Sequence, residues 1–238
     1  MKNYNLIGPT IYLKKEKVLI IGDTHCGFEK ELRRKFGSLY LGQEEKSLKL
    51  IREILGKIKI IKEIIFLGDI THSFKYKKDE VTEFKKIIEL VKKKEEKIKI
   101  IVTKGNHDLF LKEEFFENKA KIVDFYIKKD ILFIHGDKKS LEKARKEIEK
   151  AKKIFFGHFH PAIELTDGIK KEMYKCFLIG KYDKKEYFLL PSFFPLIEGR
   201  DIRKNNEINL SLINNLNVFV IDDEFNVYDF KKLNNLKN

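Results

Sequence analysis

Five of the six histidines in this 238-residue sequence fall inside four short motifs. These are Gly22-Asp23-Thr24-His25, Gly105-Asn106-His107-Asp108, His135-Gly136-Asp137 and Gly157-His158-Phe159-His160-Pro161. A further motif, Gly68-Asp69, adds a carboxylate between the first two. Asp23 and His25 are two residues apart, so just past a strand both can point the same way and offer one oxygen and one nitrogen to a single ion. His158 and His160 repeat that spacing, and Asp69, Asn106 and His135 add one donor each. Two carboxylates, one amide and four imidazoles are too many for one ion and suit two ions that share a bridging carboxylate. Two dications against two aspartates leave a positive surplus that favours a phosphate anion. Imidazole nitrogens steer the choice from Mg²⁺ alone toward Mn²⁺ first, then Fe, Zn²⁺, Ni²⁺ or Co²⁺. A single Asp-x-His or His-x-His pair arises often by chance; all five motifs in this order do not. The chemistry expected is metal-assisted hydrolysis.

Most of these motifs close an apolar run, and those runs define the elements that must position them. Val18-Leu19-Ile20-Ile21 is β-branched and continuously apolar, as in a buried central strand, and ends at Gly22. Helices are expected over 28–35 and 43–57; in the second, Leu48, Leu50, Ile51, Ile54 and Leu55 recur at helical spacing while Lys46, Lys49 and Arg52 stay wet. A strand over 63–67 ends at Gly68, a helix follows over about 79–95, and a strand over 98–102 leads to Gly105. Strand–motif units alternating with helices argue for an α/β domain whose ligands gather beyond the carboxyl ends of the strands. Each motif glycine is read as a tight turn that lets the next side chain face the crevice. Further on, 122–127 and 131–134 read as a strand pair, 139–151 as a charged helix and 154–156 as a strand. Short strands follow at 172–179, 186–190, 217–222 and 225–230, with Asp222-Asp223-Glu224 as the turn of a hairpin. Pro191-Ser192 and Pro195 interrupt the run, Asn205-Asn206 and Asn214-Asn215 mark loops, and the chain is expected to fray from Lys231.

Composition sets the remaining bounds. With 42% hydrophobic and 37% charged residues the chain folds rather than staying disordered. Its apolar runs are far too short for a membrane span, and no secretory leader is evident, so no membrane partner is expected and the cytoplasm is the expected location. Cys26 and Cys176 make no disulfide framework. The formal charge of +13 would draw polyanions such as nucleic acid toward a cleft, although much of it is Lys interleaved with Glu on helices.

The order Asp-x-His, Gly-Asp, Gly-Asn-His-Asp, His-Gly, Gly-His-x-His resembles the calcineurin-like metallophosphoesterase family, over about Leu19 to Pro161. The stretches from Gly22 to Glu29, from Gly68 to Phe74 and Leu190-Pro191-Ser192-Phe193 are similar to its small archaeal branch, related to the Mre11/SbcD nucleases. The resemblance implies a four-layer α/β/β/α sandwich, in one metallophosphoesterase domain over 1–238 without a separate capping domain. It implies one ion on Asp23, His25 and His160, a second on Asn106, His135 and His158, and Asp69 bridging both. A metal-bridging hydroxide would attack phosphorus, with His107 assisting the leaving group and Asp108 orienting His107 or its loop. His72, Arg33 and Arg34 are candidate substrate contacts. The function so implied is a metal-dependent phosphoesterase, first of phosphodiesters in nucleic acid or nucleotides. An ATPase partner of the Mre11 type is not expected, because too little chain follows Pro161 to supply the parts that grip it. A phosphomonoesterase or protein phosphatase stays open as an alternative, as does a catalytically inactive protein-binding scaffold of the same fold; oligomeric state is not legible.

Overall fold

In the first sheet, the apolar runs form strands that are buried on both faces. The structure, a computed structural model, describes residues 3–37, 42–166, 168–204 and 214–233. Strands β1 (Tyr4–Ile7), β2 (Thr10–Leu13), β3 (Val18–Ile21), β4 (Glu63–Phe66), β5 (Lys99–Thr103) and β6 (Ala120–Val123) lie side by side in that order. From β3 to β6 the sheet is parallel, and β1 and β2 join it antiparallel. Alternate residues face opposite layers. Leu19, Ile21, Ile64, Phe66, Ile100 and Val102 pack beneath helices α2 (Gln43–Lys57) and α3 (Lys78–Lys94). Val18, Ile20, Ile65 and Ile101 face the second sheet. A shorter helix, α1 (Phe28–Phe36), precedes α2.

The second sheet contains β7 (Phe125–Lys128), β8 (Ile131–Ile134), β9 (Lys153–Phe156), β10 (Pro161–Thr166), β11 (Lys171–Tyr182), β12 (Lys185–Leu189), β13 (Arg200–Asp201), β14 (Asn217–Ile221) and β15 (Val227–Lys232). Its main path runs β13-β10-β11-β12-β9-β8-β7, with the β14–β15 hairpin attached to β11. Between the sheets Phe133 stacks on Phe155 at 5.2 Å and Phe155 on Phe188 at 4.1 Å between centroids. The outer face of β8 and β9 carries Leu132, Ile134, Ile154 and Phe156 against Ala144, with Leu141 and Ile148 of the short helices α4 (Lys138–Lys143) and α5 (Arg145–Lys150) beside them. The layers are therefore helix, sheet, sheet, helix, with both sheets mixed, as the family resemblance implied.

Several elements differ from expectation, among them β10 and β13, which the pattern did not mark as strands. The run 122–127 is not one strand: it breaks at exposed Asp124, with β6 pairing to β5 in the first sheet and β7 to β8 in the second. A residue of low β propensity sits where the chain changes sheets, and Lys143 Nζ holds its carboxylate at 2.6 Å. The expected helix over 139–151 is two, because the backbone opens at Ala144 (φ −95°, ψ 12°), which is fully buried against the sheet. The β1–β2 hairpin turning at Gly8-Pro9 was not anticipated. The Asp222 turn does form a hairpin, Asp222 Oδ1 accepting from the amides of Glu224 at 3.0 Å and Asn226 at 2.8 Å. Asn214 and Asn215 lie in a turn, Lys231 and Lys232 still pair within β15, and Asn205, Asn206 and residues 234–238 lie outside the described residues.

Candidate metal centre

All five motifs follow the C-terminal ends of parallel strands. Asp23 and His25 come after β3, Asp69 after β4, Asn106 and His107 after β5, His135 after β8, and His158 and His160 after β9. The first sheet thus supplies Asp23, His25, Asp69 and Asn106, and the second supplies the other three. His25, Asp69, His158 and His160 have φ of 42°, 42°, 61° and 40°. Each sits in a left-handed conformation that costs a non-glycine residue about 1–2 kcal/mol. Four such residues in one crevice mark a site where geometry is held against local preference. Gly68 and Gly136, with φ of 93° and 114°, keep the turn role expected of them, whereas Gly105 and Gly157 work differently. At Gly105 a Cβ would lie 2.1 Å from Asp69 Oδ1, and at Gly157 2.9 Å from Asp23 Oδ2. Neither has positive φ; both are small so that a carboxylate from another motif can approach.

The donor atoms converge in two adjoining groups. In one, His160 Nε2 lies 3.5 Å from Asp23 Oδ2 and 3.4 Å from His25 Nε2. In the other, His135 Nε2 is 3.2 Å from Asn106 Oδ1, 3.2 Å from His158 Nδ1 and 3.4 Å from Asp69 Oδ2. Asp69 Oδ2 is also 4.0 Å from His25 Nε2, which places it between the groups. Donors bound at about 2.1 Å around one ion are separated by about 3.0–3.4 Å, depending on the coordination angle. The lone pairs also call for a cation. His135 Nδ1 donates to the Leu67 carbonyl at 2.7 Å, so the Nε2 of the neutral ring presents a lone pair to two acceptors, Asn106 Oδ1 and Asp69 Oδ2. Without an ion the ring satisfies them only by taking a proton. Burial opposes that charge, but the hydrogen bond to Asp69 and the charges of Asp69 and Asp23 outweigh it and push its pKa up to about 10. Burial also works against ionisation of Asp23 and Asp69, yet His160 and His135 hold the first, and His135 and His107 the second, below the usual carboxylate range. Burial, then repulsion from His160, keeps His25 well below its ordinary value and so neutral, the form that can ligate. His25 Nδ1 and His72 Nδ1 are shielded from solvent and, among the described residues, have no hydrogen-bond partner. Two groups, Asp23–His25–His160 and Asp69–His135–His158, could each hold an ion. The donor set fits divalent transition metals.

A third cluster, His25–His72–His107, also has ligand spacing but contains no carboxylate. His107 Nδ1 donates to the His72 backbone carbonyl, which turns Nε2 toward the crevice, 3.9 Å from Asp69 Oδ2. The main chain thus orients His107. Asp108 is fully buried and its carboxylate is taken up by the amides of Ile70 (2.9 Å), Thr71 (3.2 Å) and Gly105 (3.0 Å). Burial and then Asp69 push its pKa up to about 7 against the pull of the Gly105 and Thr71 amides and of His135. Its position is that of a clamp joining the Asp69 and Asn106 loops. Arg33 and Arg34 are exposed on α1, and Arg34 Nη2 lies 3.5 Å from Asp79; neither is brought into the three clusters.

Several residues beside the crevice carried no legible motif. Glu31 Oε2 lies 3.7 Å from His72 Nε2. Glu80 on α3, almost fully buried, accepts from His72 N (3.1 Å), Ser73 N (3.0 Å) and Ser73 Oγ (2.6 Å). The Asp23 carbonyl accepts from Phe193 N at 2.8 Å and Ser192 Oγ at 3.2 Å, while Lys175 Nζ ties the carbonyls of Ser192 and Phe194 at 2.9 and 2.5 Å. Phe74 stacks on His107 at 3.9 Å. Of these, Ser73, Phe74, Ser192 and Phe193 lay within stretches that the family resemblance touched. Cys26 is buried, and burial pushes its thiol well above the ordinary value, so it packs rather than reacts.

The architecture has counterparts among known proteins. Over 95% of this chain and 94% of the other, it superposes on nuclease MPE of Pseudomonas putida with a TM-score of 0.62 at 18% identity. A novel archaeal phosphodiesterase gives a TM-score of 0.43 at 16% identity, covering 90% of this chain and 98% of that one. A single mutant of Vps29 from Entamoeba histolytica gives 0.41 at 14%, covering 90% and 99%. No curated protein matches the sequence. Among the described residues no helix is long and apolar enough to cross a membrane. The family model of calcineurin-like phosphoesterases matches residues 16–221, and the chain belongs to that family.

Proposed function

We propose that the chain is a dinuclear-metal phosphodiesterase acting on nucleic acid or nucleotides. In this reading Asp23, His25 and His160 hold one ion, Asn106, His135 and His158 hold the other, and Asp69 is shared. The observation that carries it is the convergence of nitrogen and oxygen donor atoms around His135 Nε2 and His160 Nε2 at 3.2–3.5 Å. The ions, when bound, would supply positive charge to the phosphoryl oxygens and a water acidic enough to act as nucleophile near neutral pH, with Mn²⁺ our first choice. The chain's own residues do the rest. Asp23, His25, Asp69 and His135 are buried, which limits water around them, and the fixed tautomer of His107 presents Nε2 where a leaving oxygen can take a proton or have its charge stabilised. The all-histidine cluster, lacking a carboxylate, suits phosphate oxygens better than a third dication, so His72 is assigned to substrate. Diester over monoester is favoured by the +13 charge, which attracts polyanions, and by the motif stretches that resemble the Mre11/SbcD-related branch.

The test is hydrolysis, after reconstitution with Mn²⁺, Fe²⁺, Zn²⁺, Ni²⁺ or Co²⁺, of bis-p-nitrophenyl phosphate, p-nitrophenyl phosphate, cyclic nucleotides and single- and double-stranded DNA. Diester cleavage dependent on metal is the expected result. Cleavage of the monoester alone would replace this reading with a phosphomonoesterase, and no hydrolysis with any metal would replace it with a scaffold.

A further inference from the structure

Four aromatic rings form a column through the crevice. Phe28 lies on His72 with centroids 4.2 Å apart and planes at 36°, His72 faces His107 at 5.7 Å and 29°, and His107 lies under Phe74 at 3.9 Å and 27°. Phe28, at the base, also meets the buried Phe194 edge-on at 6.0 Å. The top behaves differently: Phe74 is 61% exposed although one face rests on His107. His107 thus holds the ring flat while the rest of its surface stays open to a second ring. The two residues after it are exposed as well, which gives Phe74-Lys75-Tyr76 at the lip, and Tyr76 is steadied by Phe115 at 5.0 Å. Alternating rings and a cation are the pattern that binds single-stranded nucleic acid, the rings taking base faces and the cation taking phosphate.

We propose that Phe74 is a specificity-determining residue: its outer face stacks on the nucleobase of the leaving-group nucleoside, with Lys75 near the next phosphate. This rests on the phosphodiesterase reading above. The side is set by geometry, because Phe74 covers His107, the group placed at the leaving oxygen. A base stacked there extends the existing column by one ring and fixes the scissile phosphate relative to His107. Stacking is tolerant of base identity, so the preference is for a base over none rather than for one sequence.

The experiment compares a thymidine dinucleotide with two analogues, each lacking one base, for the wild type, Phe74→Ala and Phe74→Trp. Metal-dependent cleavage of bis-p-nitrophenyl phosphate by the wild type serves as the check on the underlying reading. For the wild type, kcat/KM should fall about tenfold or more when the leaving-group base is missing, the range of one lost base–aromatic stack. That ratio should collapse toward one in Phe74→Ala and persist in Phe74→Trp. A role confined to supporting His107 would slow every substrate equally and leave the ratio intact, which would overturn the proposal. A second readout needs no turnover. A methylene-phosphonate dinucleotide with 2-aminopurine on the leaving-group side should be quenched on binding by the wild type, and not by Phe74→Ala; equal quenching would also overturn it. If no diester is cleaved by the wild type, the phosphodiesterase reading fails first and takes this one with it.

Discussion

His107 and the seven proposed ligands differ in what their removal should do. His107 reaches the crevice through a main-chain hydrogen bond to His72, and neither carboxylate-containing cluster needs it. We expect His107→Ala to keep its metal content by elemental analysis while kcat falls about 10²–10⁴-fold, the usual worth of a general acid. Loss of metal together with activity would reassign His107 as a ligand of the His25–His72–His107 cluster. The candidate ligands were legible in the sequence because histidine is rare here and their spacing is local. Phe74, Glu31 and Glu80 were not, because phenylalanine and glutamate are common in this chain and their meaning comes from contacts made only after folding. Strain at His25, Asp69, His158 and His160 is likewise invisible in a string of letters, since left-handed φ at a non-glycine residue is imposed by the surroundings.

The strands and helices were legible wherever periodicity carried the information, as in Val18–Ile21 or the buried face of α3, and illegible where partner choice did. Nothing in Ile122–Ile127 says that its halves belong to different sheets. The first turn of α3 illustrates how an element can position chemistry it does not contain. Glu80 takes the amides of His72 and Ser73 and the Ser73 hydroxyl, and Lys77 Nζ backs it at 3.3 Å. Replacing it by alanine strands three donors in a nearly closed space, each costing about 1–3 kcal/mol if water cannot reach it. Because the His72 carbonyl in turn accepts from His107, the loss should spread to turnover. We expect Glu80→Ala to lose about 3 kcal/mol of stability, or about 6–12 °C in Tm for a chain of 238 residues. We also expect kcat to fall with metal content unchanged. Glu80→Gln, which keeps one acceptor, should recover part of both. A variant with unchanged kcat would show that the helix holds the loop without setting the histidine.

At the scale of the molecule, the proposed centre joins two layers. Asp23, His25, Asp69 and Asn106 hang from the first sheet, and His135, His158 and His160 from the second, so each proposed ion would be held from both sheets. Elsewhere the sheets meet through a shared apolar layer in which Phe133, Phe155 and Phe188 of the second sheet join Ile20, Ile65 and Ile101 of the first, with the Lys128–Glu63 ion pair at 2.9 Å as a polar link. At the crevice they instead bring together closely spaced nitrogen and oxygen donors, two buried carboxylates among them. Metal binding should therefore appear in the stability of the whole domain as well as in activity. A ligand present at a hundred times its Kd and bound only by the folded chain stabilises it by about 2.7 kcal/mol. For 238 residues that corresponds to about 5–10 °C in Tm for each independent site. Melting of chelator-treated protein with and without added Mn²⁺ measures the shift directly. His107→Ala should keep the full shift, whereas Asp69→Asn, which weakens the shared donor, should lose most of it. An equal shift in Asp69→Asn would mean that the ion binds elsewhere, and no shift in the wild type would remove the metal from the centre altogether.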